Sequence, residues 1–245
     1  SKTFKVHLRK TFYPSWYQKK TLTKGTYTSK TADQNAIWAI GDITAKLSNV
    51  TVKKTGDSDG GDSTSFYGTN SGILASDGAN LILNNIKVTT NAYNLKIKTA
   101  GSKITTKKGD TFYVTNTSAK ISLTNNTITN TDSTGNFLRA QADSWGTSGS
   151  NGGDVTLTMS KQKASGNIAI DSVSTLKMTM KNRSSYKGTI NGSNEAKSIS
   201  LTLDKTSKIT LTGDSYVTSF TDADSTYSNI NFNGYKLYVN VTAIN

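Results

Sequence analysis

Few side chains in this sequence carry reactive chemistry, and their spacing favours binding over catalysis. Arg139, Gln141 and Asp143 alternate along one side of a predicted strand beside Trp145. A cation and a carboxylate so placed would suit proton abstraction next to a uronate, so this trio is the nearest approach to a lyase site. The run 56–62, Gly-Asp-Ser-Asp-Gly-Gly-Asp, sets Asp57, Asp59 and Asp62 on a glycine-containing loop whose oxygens suit Ca²⁺. It lacks the later bidentate glutamate of an EF-hand, so a plain turn-rich loop is the competing reading. Phe66, Tyr67 and Trp145 lie in polar insertions, where aromatic faces beside Asp and Asn grip sugars by stacking and hydrogen bonding. The same rings could fold back against the wall of the domain instead.

Catalysis finds no firmer footing. His7 is the only histidine and there is no cysteine, which excludes a histidine-rich zinc site and a Ser-His triad. A glycosidase needs two carboxylates about 5–9 Å apart. On a stack of strands that demands acids at equivalent positions of adjacent coils, and no such column exists. Glu195 sits in a Gly-Ser-Asn turn and most aspartates fall between strands. The expectation is a protein with no catalytic residue.

The elements that would position these groups are short strands. Ile43, Ala45 and Leu47 alternate with polar residues; so do Ala119, Ile121 and Leu123, then Val155, Leu157 and Met159. Leu176, Met178 and Met180 repeat the pattern, followed by Ile199, Leu201 and Leu203, by Ile209 and Leu211, and by Leu237, Val239 and Val241. Period two means strands with one buried face. No stretch holds a 3.6-residue period, so little or no helix is expected. Leu47-Ser-Asn49-Val50-Thr-Val52 aligns with Leu83-Asn-Asn85-Ile86-Lys-Val88 and with Leu123-Thr-Asn125-Asn126-Thr-Ile128. The apolar residues on both sides of the Asn must point inward, so the chain has to bend there, and Asn tolerates the left-handed backbone of such a bend. A third strand precedes each unit at 36–40, 72–75 and 111–114, and continues at 137–140 and 167–170. Three strands per turn and about 20–29 residues per coil predict an all-β solenoid, a right-handed parallel β-helix. A β-sandwich is the alternative, but it has no reason to repeat one bend residue in register. Insertions at 55–71 and 143–154 map to loops.

Composition agrees. Thr, Ser and Asn are abundant, and Pro14 is the single proline. No apolar run is long enough for a membrane-spanning helix. The first residue is Ser1, which fits a removed signal peptide, and the lack of cysteine fits export. Of 29 basic residues only Arg9, Arg139 and Arg183 are arginine, and the net charge is +13. Base readout leans on arginine, so sequence-specific nucleic-acid binding is not expected. The lysines look scattered, recurring at outward positions such as Lys46, Lys87, Lys120, Lys177, Lys181 and Lys236. They imply a solvated, edge-protecting surface, with a diffuse affinity for acidic glycans or cell-wall polymers as the alternative.

Gln34-Asn-Ala-Ile, the aspartate run to Asp62, Phe66-Tyr-Gly-Thr-Asn70, Gly109-Asp-Thr-Phe-Tyr-Val114, Ala142-Asp-Ser-Trp-Gly146 and Gly192-Ser-Asn-Glu-Ala196 resemble one family. It is that of the pectate-lyase-like right-handed β-helix repeat proteins of bacterial surfaces, adhesin-like in character. The resemblance covers 26–245. It implies a parallel β-helix, export, a cell-surface location and no catalytic residues. The sequence departs from that pattern in its lysine content and in fewer coils between 90 and 109. A polysaccharide-binding or lyase-like β-helix acting on acidic glycans is the functional alternative.

Residues 1–25 lie outside the repeat. Phe4, Val6 and Leu8 alternate like a strand, and Phe12, Tyr13, Trp16 and Tyr17 follow around Pro14. So apolar a segment must cover something. Capping its own first coil is one option. The other is pairing with a neighbouring copy, with the terminal strand bearing Leu237, Val239 and Val241 as acceptor. Repeated head to tail, that contact would build a filament.

Overall fold

The structure is a computed structural model and describes residues 21–31, 35–40, 44–55, 73–76, 80–84, 86–90, 98–100, 103–106, 109–144 and 146–245. It is a parallel β-helix. Among the described residues there is no helix, and all but one of the strand pairings are parallel. Those ladders rule out a sandwich, whose sheets are antiparallel. The chain divides into two compact units, Ser1–Tyr113 with Asn126–Gly135, and Val114–Asn125 with Asn136–Asn245.

In the first unit, Thr44–Ser48 pairs with Thr21–Leu22 and with Asn80–Asn84, which in turn pairs with Lys98–Ala100. A second sheet runs Gly25–Ser29, Val50–Lys54, Lys87–Thr90, Lys103–Thr106, Thr127–Asn130. Ile37–Ile40 and Ile73–Ser76 form a third. These are the three strands per turn that the repeat predicts. Asn49 lies between Thr44–Ser48 and Val50–Lys54 with φ 55°, as the bend argument requires. The second sheet also aligns a polar column, of which Ser29, Lys54 and Thr106 are buried. Ser29, Lys54, Thr90, Thr106 and Asn130 share one register, and Lys54 is fully buried, its Nζ donating to the Thr31 carbonyl at 2.9 Å.

In the second unit the first sheet runs Thr117–Thr124, Gly153–Ser160, Thr175–Lys181, Ser198–Leu203, Ser219–Asp222. Its inward residues stack in three columns. The central one is Ile121, Leu157, Met178, Leu201 and Phe220, and all but the last are sealed from solvent. The second sheet runs Lys163–Ser165, Ser185–Gly188, Lys208–Leu211, Ile230–Asn231. On the third side Leu138–Ala140 pairs with Ile168–Ile170, and Ser215–Val217 pairs with Leu237–Val239. The offset between hydrogen-bonded residues of successive coils ranges from 19 (Ile199 to Thr218) to 35 (Asn116 to Asn151, across the 143–154 insertion). Asn125, Asn182 and Asn191 take left-handed backbone at bends, and so do Lys161 and Arg183. Several backbone approaches between coils are too close for any side chain, at Gly135, Gly152, Gly153 and Gly188. A Cβ on Gly188 would lie 2.3 Å from the Gly166 carbonyl oxygen.

Candidate functional site

Phe66, Tyr67, Trp145, Asp57, Asp59 and Asp62 lie outside the described residues. So do Phe4, Val6, Leu8, Phe12, Tyr13, Trp16, Tyr17 and Asn85. Among the described residues no group of three or more acids could hold a metal ion.

The Arg139 trio is visible. Arg139 is half-buried and its Nη1 donates to Gln141 Oε1 at 3.3 Å. Asp143 is exposed, and its Oδ1 accepts the backbone N–H of Ser144 at 2.7 Å. The Asp143 carbonyl accepts from Asn151 Nδ2 at 2.9 Å, and the Asn151 carbonyl accepts the Asn116 N–H at 2.9 Å. These bonds tie down the root of the 143–154 insertion.

Most other aspartates do similar work at corners, a pattern the alternation of strands does not reveal. Asp132, Asp204 and Asp224 each open an Asp-x-Thr turn whose carboxylate accepts the threonine N–H and hydroxyl two residues on. Two of them also reach the coil before. Asp132 Oδ2 accepts the Gly109 N–H at 2.6 Å, and Asp204 Oδ2 accepts the Asn182 N–H at 2.7 Å. Asp171 does the same to the Ala142 N–H at 2.8 Å. Backbone N–H groups of Gly109 and Thr134 hold Asp132 at about 2, and the hydroxyls of Ser228 and Thr226 hold Asp224 at about 2. For Asp204, burial pushes upward, but the donors from Asn182, Ser207 and Thr206 outweigh it and its value falls. The recurring Asp-x-Thr triplet was the available sequence signal. Asp132, Asp171 and Asp204 thus staple one coil to the next, and Asp224 closes its own turn.

The C-terminal end of the second unit is the other distinctive feature. The apolar column Leu123, Met159, Met180, Leu203 ends on Asp222, whose Oδ1 accepts from the Asp224 N–H and from Asn229 Nδ2. Phe220 packs at 5.6 Å against Tyr227 over the last coil. Leu237 is buried and Val239 half-buried, but the alternation stops there. Asn240 and Val241 both have positive φ, Val241 is 87% exposed, and the chain reverses so that Thr242–Ala243 pairs antiparallel with Leu237–Val239. The terminal strand thus already carries a partner on both edges. Ser219–Asp222 and Ile230–Asn231 are the last strands of their sheets, with no further strand beyond them among the described residues. On the third side Tyr216 and Tyr238 stack across coils at 4.7 Å and 6°.

Comparison with protein-family models, curated proteins and solved structures finds no match to this chain. The parallel β-helix rests on the geometry alone.

Proposed function

We propose that this chain is a non-enzymatic, extracellular structural and adhesive β-helix akin to the adhesin-like surface proteins, and that copies join head to tail. The observation that supports this reading is the unequal finish of the second unit. One sheet ends in a folded-back strand, whereas Ser219–Asp222 and Ile230–Asn231 end theirs with no further strand beyond them among the described residues. Open parallel edges invite strand addition, and solenoids either cap them or assemble through them. The alternating segment 4–8 supplies the donor strand in this reading, and the acceptor is Ser219–Asp222 rather than the terminal strand, whose edge is engaged. The aspartate geometry supports the non-enzymatic half, because carboxylates bound to several donors each are poor proton carriers.

The test is deletion of residues 1–20, read by analytical ultracentrifugation and electron microscopy across a concentration series. The full chain should form concentration-dependent rods, and the deleted protein should stay folded and monomeric. A full chain that is monomeric at high concentration, paired with a deleted protein that unfolds, would mean that the segment only caps its own coil.

A further inference from the structure

Lysines that look scattered in sequence are gathered in space in the second unit. The outward face of its second sheet has two columns. One is Lys163, Ser185 and Lys208; the other is Ser165, Lys187 and Thr210. Cation and hydroxyl therefore alternate both along each strand and from coil to coil, as on a checkerboard. All three lysines are exposed. The turns leading into these strands add Lys161, Arg183 and Lys205, and the end of the strand Thr175–Lys181 adds Lys181, all exposed. Among the described residues none of these cations is drawn into an ion pair. The one carboxylate in these turns, Asp204, is spent on the N–H groups of Asn182, Thr206 and Ser207 and the hydroxyl of Thr206. Asp222 and Asp224 follow in the next turn and bound the patch.

We propose that this face binds an anionic polysaccharide laid along the stacking direction. Adjacent strands are about 4.8 Å apart, so Lys163 and Lys208, two strands apart, are separated by about 10 Å. One coil is then close to the length of one sugar ring in an extended chain, and two coils to that of a disaccharide repeat. A polymer carrying at least one sulfate or carboxylate per disaccharide, as heparin and polygalacturonate do, would meet a lysine at every second ring and a serine or threonine at the ring between. Nucleic acid fits less well. Single strands are held by aromatics that stack on bases, and base edges are read by arginine. This face has one arginine, and the aromatic ring on its strands, Tyr186, points inward and is buried. The surface goes beyond the scaffold reading and does not depend on it, since a monomer presents it equally.

The full chain should be titrated at near-physiological salt with heparin, polygalacturonate, neutral dextran and single-stranded DNA of matched charge. Lys163→Gln, Lys187→Gln and Lys208→Gln together should weaken binding to heparin or polygalacturonate by about tenfold and flatten its salt dependence. A control carrying Lys46→Gln, Lys87→Gln and Lys120→Gln has the same net charge and should stay within about twofold of the parent. Both triples change exposed residues only, and thermal melts verify that each is folded. Equal losses in the two triples would show a diffuse charge effect and overturn the site. So would absence of binding to both acidic glycans, equal binding to dextran, or tighter binding to the DNA.

Discussion

At the scale of the residue, the second unit and the Asp132 corner depend on carboxylates that stay ionised. Asp132 and Asp224 are held at about 2, below the ordinary aspartate value near 3.9, and Asp204 is lowered as well. A depressed folded-state value means that stabilisation is complete above the unfolded value and is lost as pH falls through the folded one. The melting temperature should therefore hold level from neutral pH to about 5 and fall between about 4 and 2. Asp224→Ala should lower the melting temperature at neutral pH and make the acid decline shallower. Melts followed by circular dichroism across that range check both, and an unchanged acid limb in the variant would remove Asp224 from the account. This layer was only half legible. Asn49 and Asn125 announced their bends, because Asn is among the few residues at ease with positive φ. Lys161 and Arg183 occupy the same backbone region and gave no such sign. The staples stayed hidden because an aspartate in a turn reads the same whether its carboxylate faces water or the previous coil.

Strands were the most legible elements, since a one-sided core imposes period two directly on the sequence. Val155, Leu157 and Met159, with their counterparts in the next two coils, are buried as the alternation demands. The pattern misled at the terminal strand, where Val241 continues the period but points to solvent beyond a chain reversal. Alternation does not record where pairing stops. What it also omits is contact between coils, and Gly188 shows the cost. Its Cα lies so near the Gly166 carbonyl, which Tyr186 also bonds through its hydroxyl at 2.7 Å, that an added methyl has no space. Gly188→Ala should destabilise by about 2–3 kcal/mol. Denaturant melts would read it, and a loss under about 0.5 kcal/mol, the size of an ordinary surface substitution, would mean that the two coils separate freely. The clustering of cations was equally invisible, because residues of successive coils are neighbours only once the coil offset is known.

For the whole molecule, the balance is between open edges and charge. A net charge of +13 makes copies repel, and salt or a bound polyanion would relieve that repulsion. The reversed tail Thr242–Ala243 guards one edge against neighbours. Removing residues 241–245 should bare Leu237–Val239 and increase self-association, most strongly at high salt, as read by light scattering after size exclusion. A truncated protein no more associated than the parent would show that the tail guards nothing. The register between two of the coils has a different kind of consequence. Met180 stands directly beside Leu203, so the stretch 181–203 begins and ends at equivalent points of the spiral. Copying that stretch in tandem should add one complete turn of about 4.8 Å, in which each core side chain stacks on its own duplicate. Length in such a protein is a dial that a lineage can turn by slipped replication, one notch per coil, while the ends and their functions stay as they are.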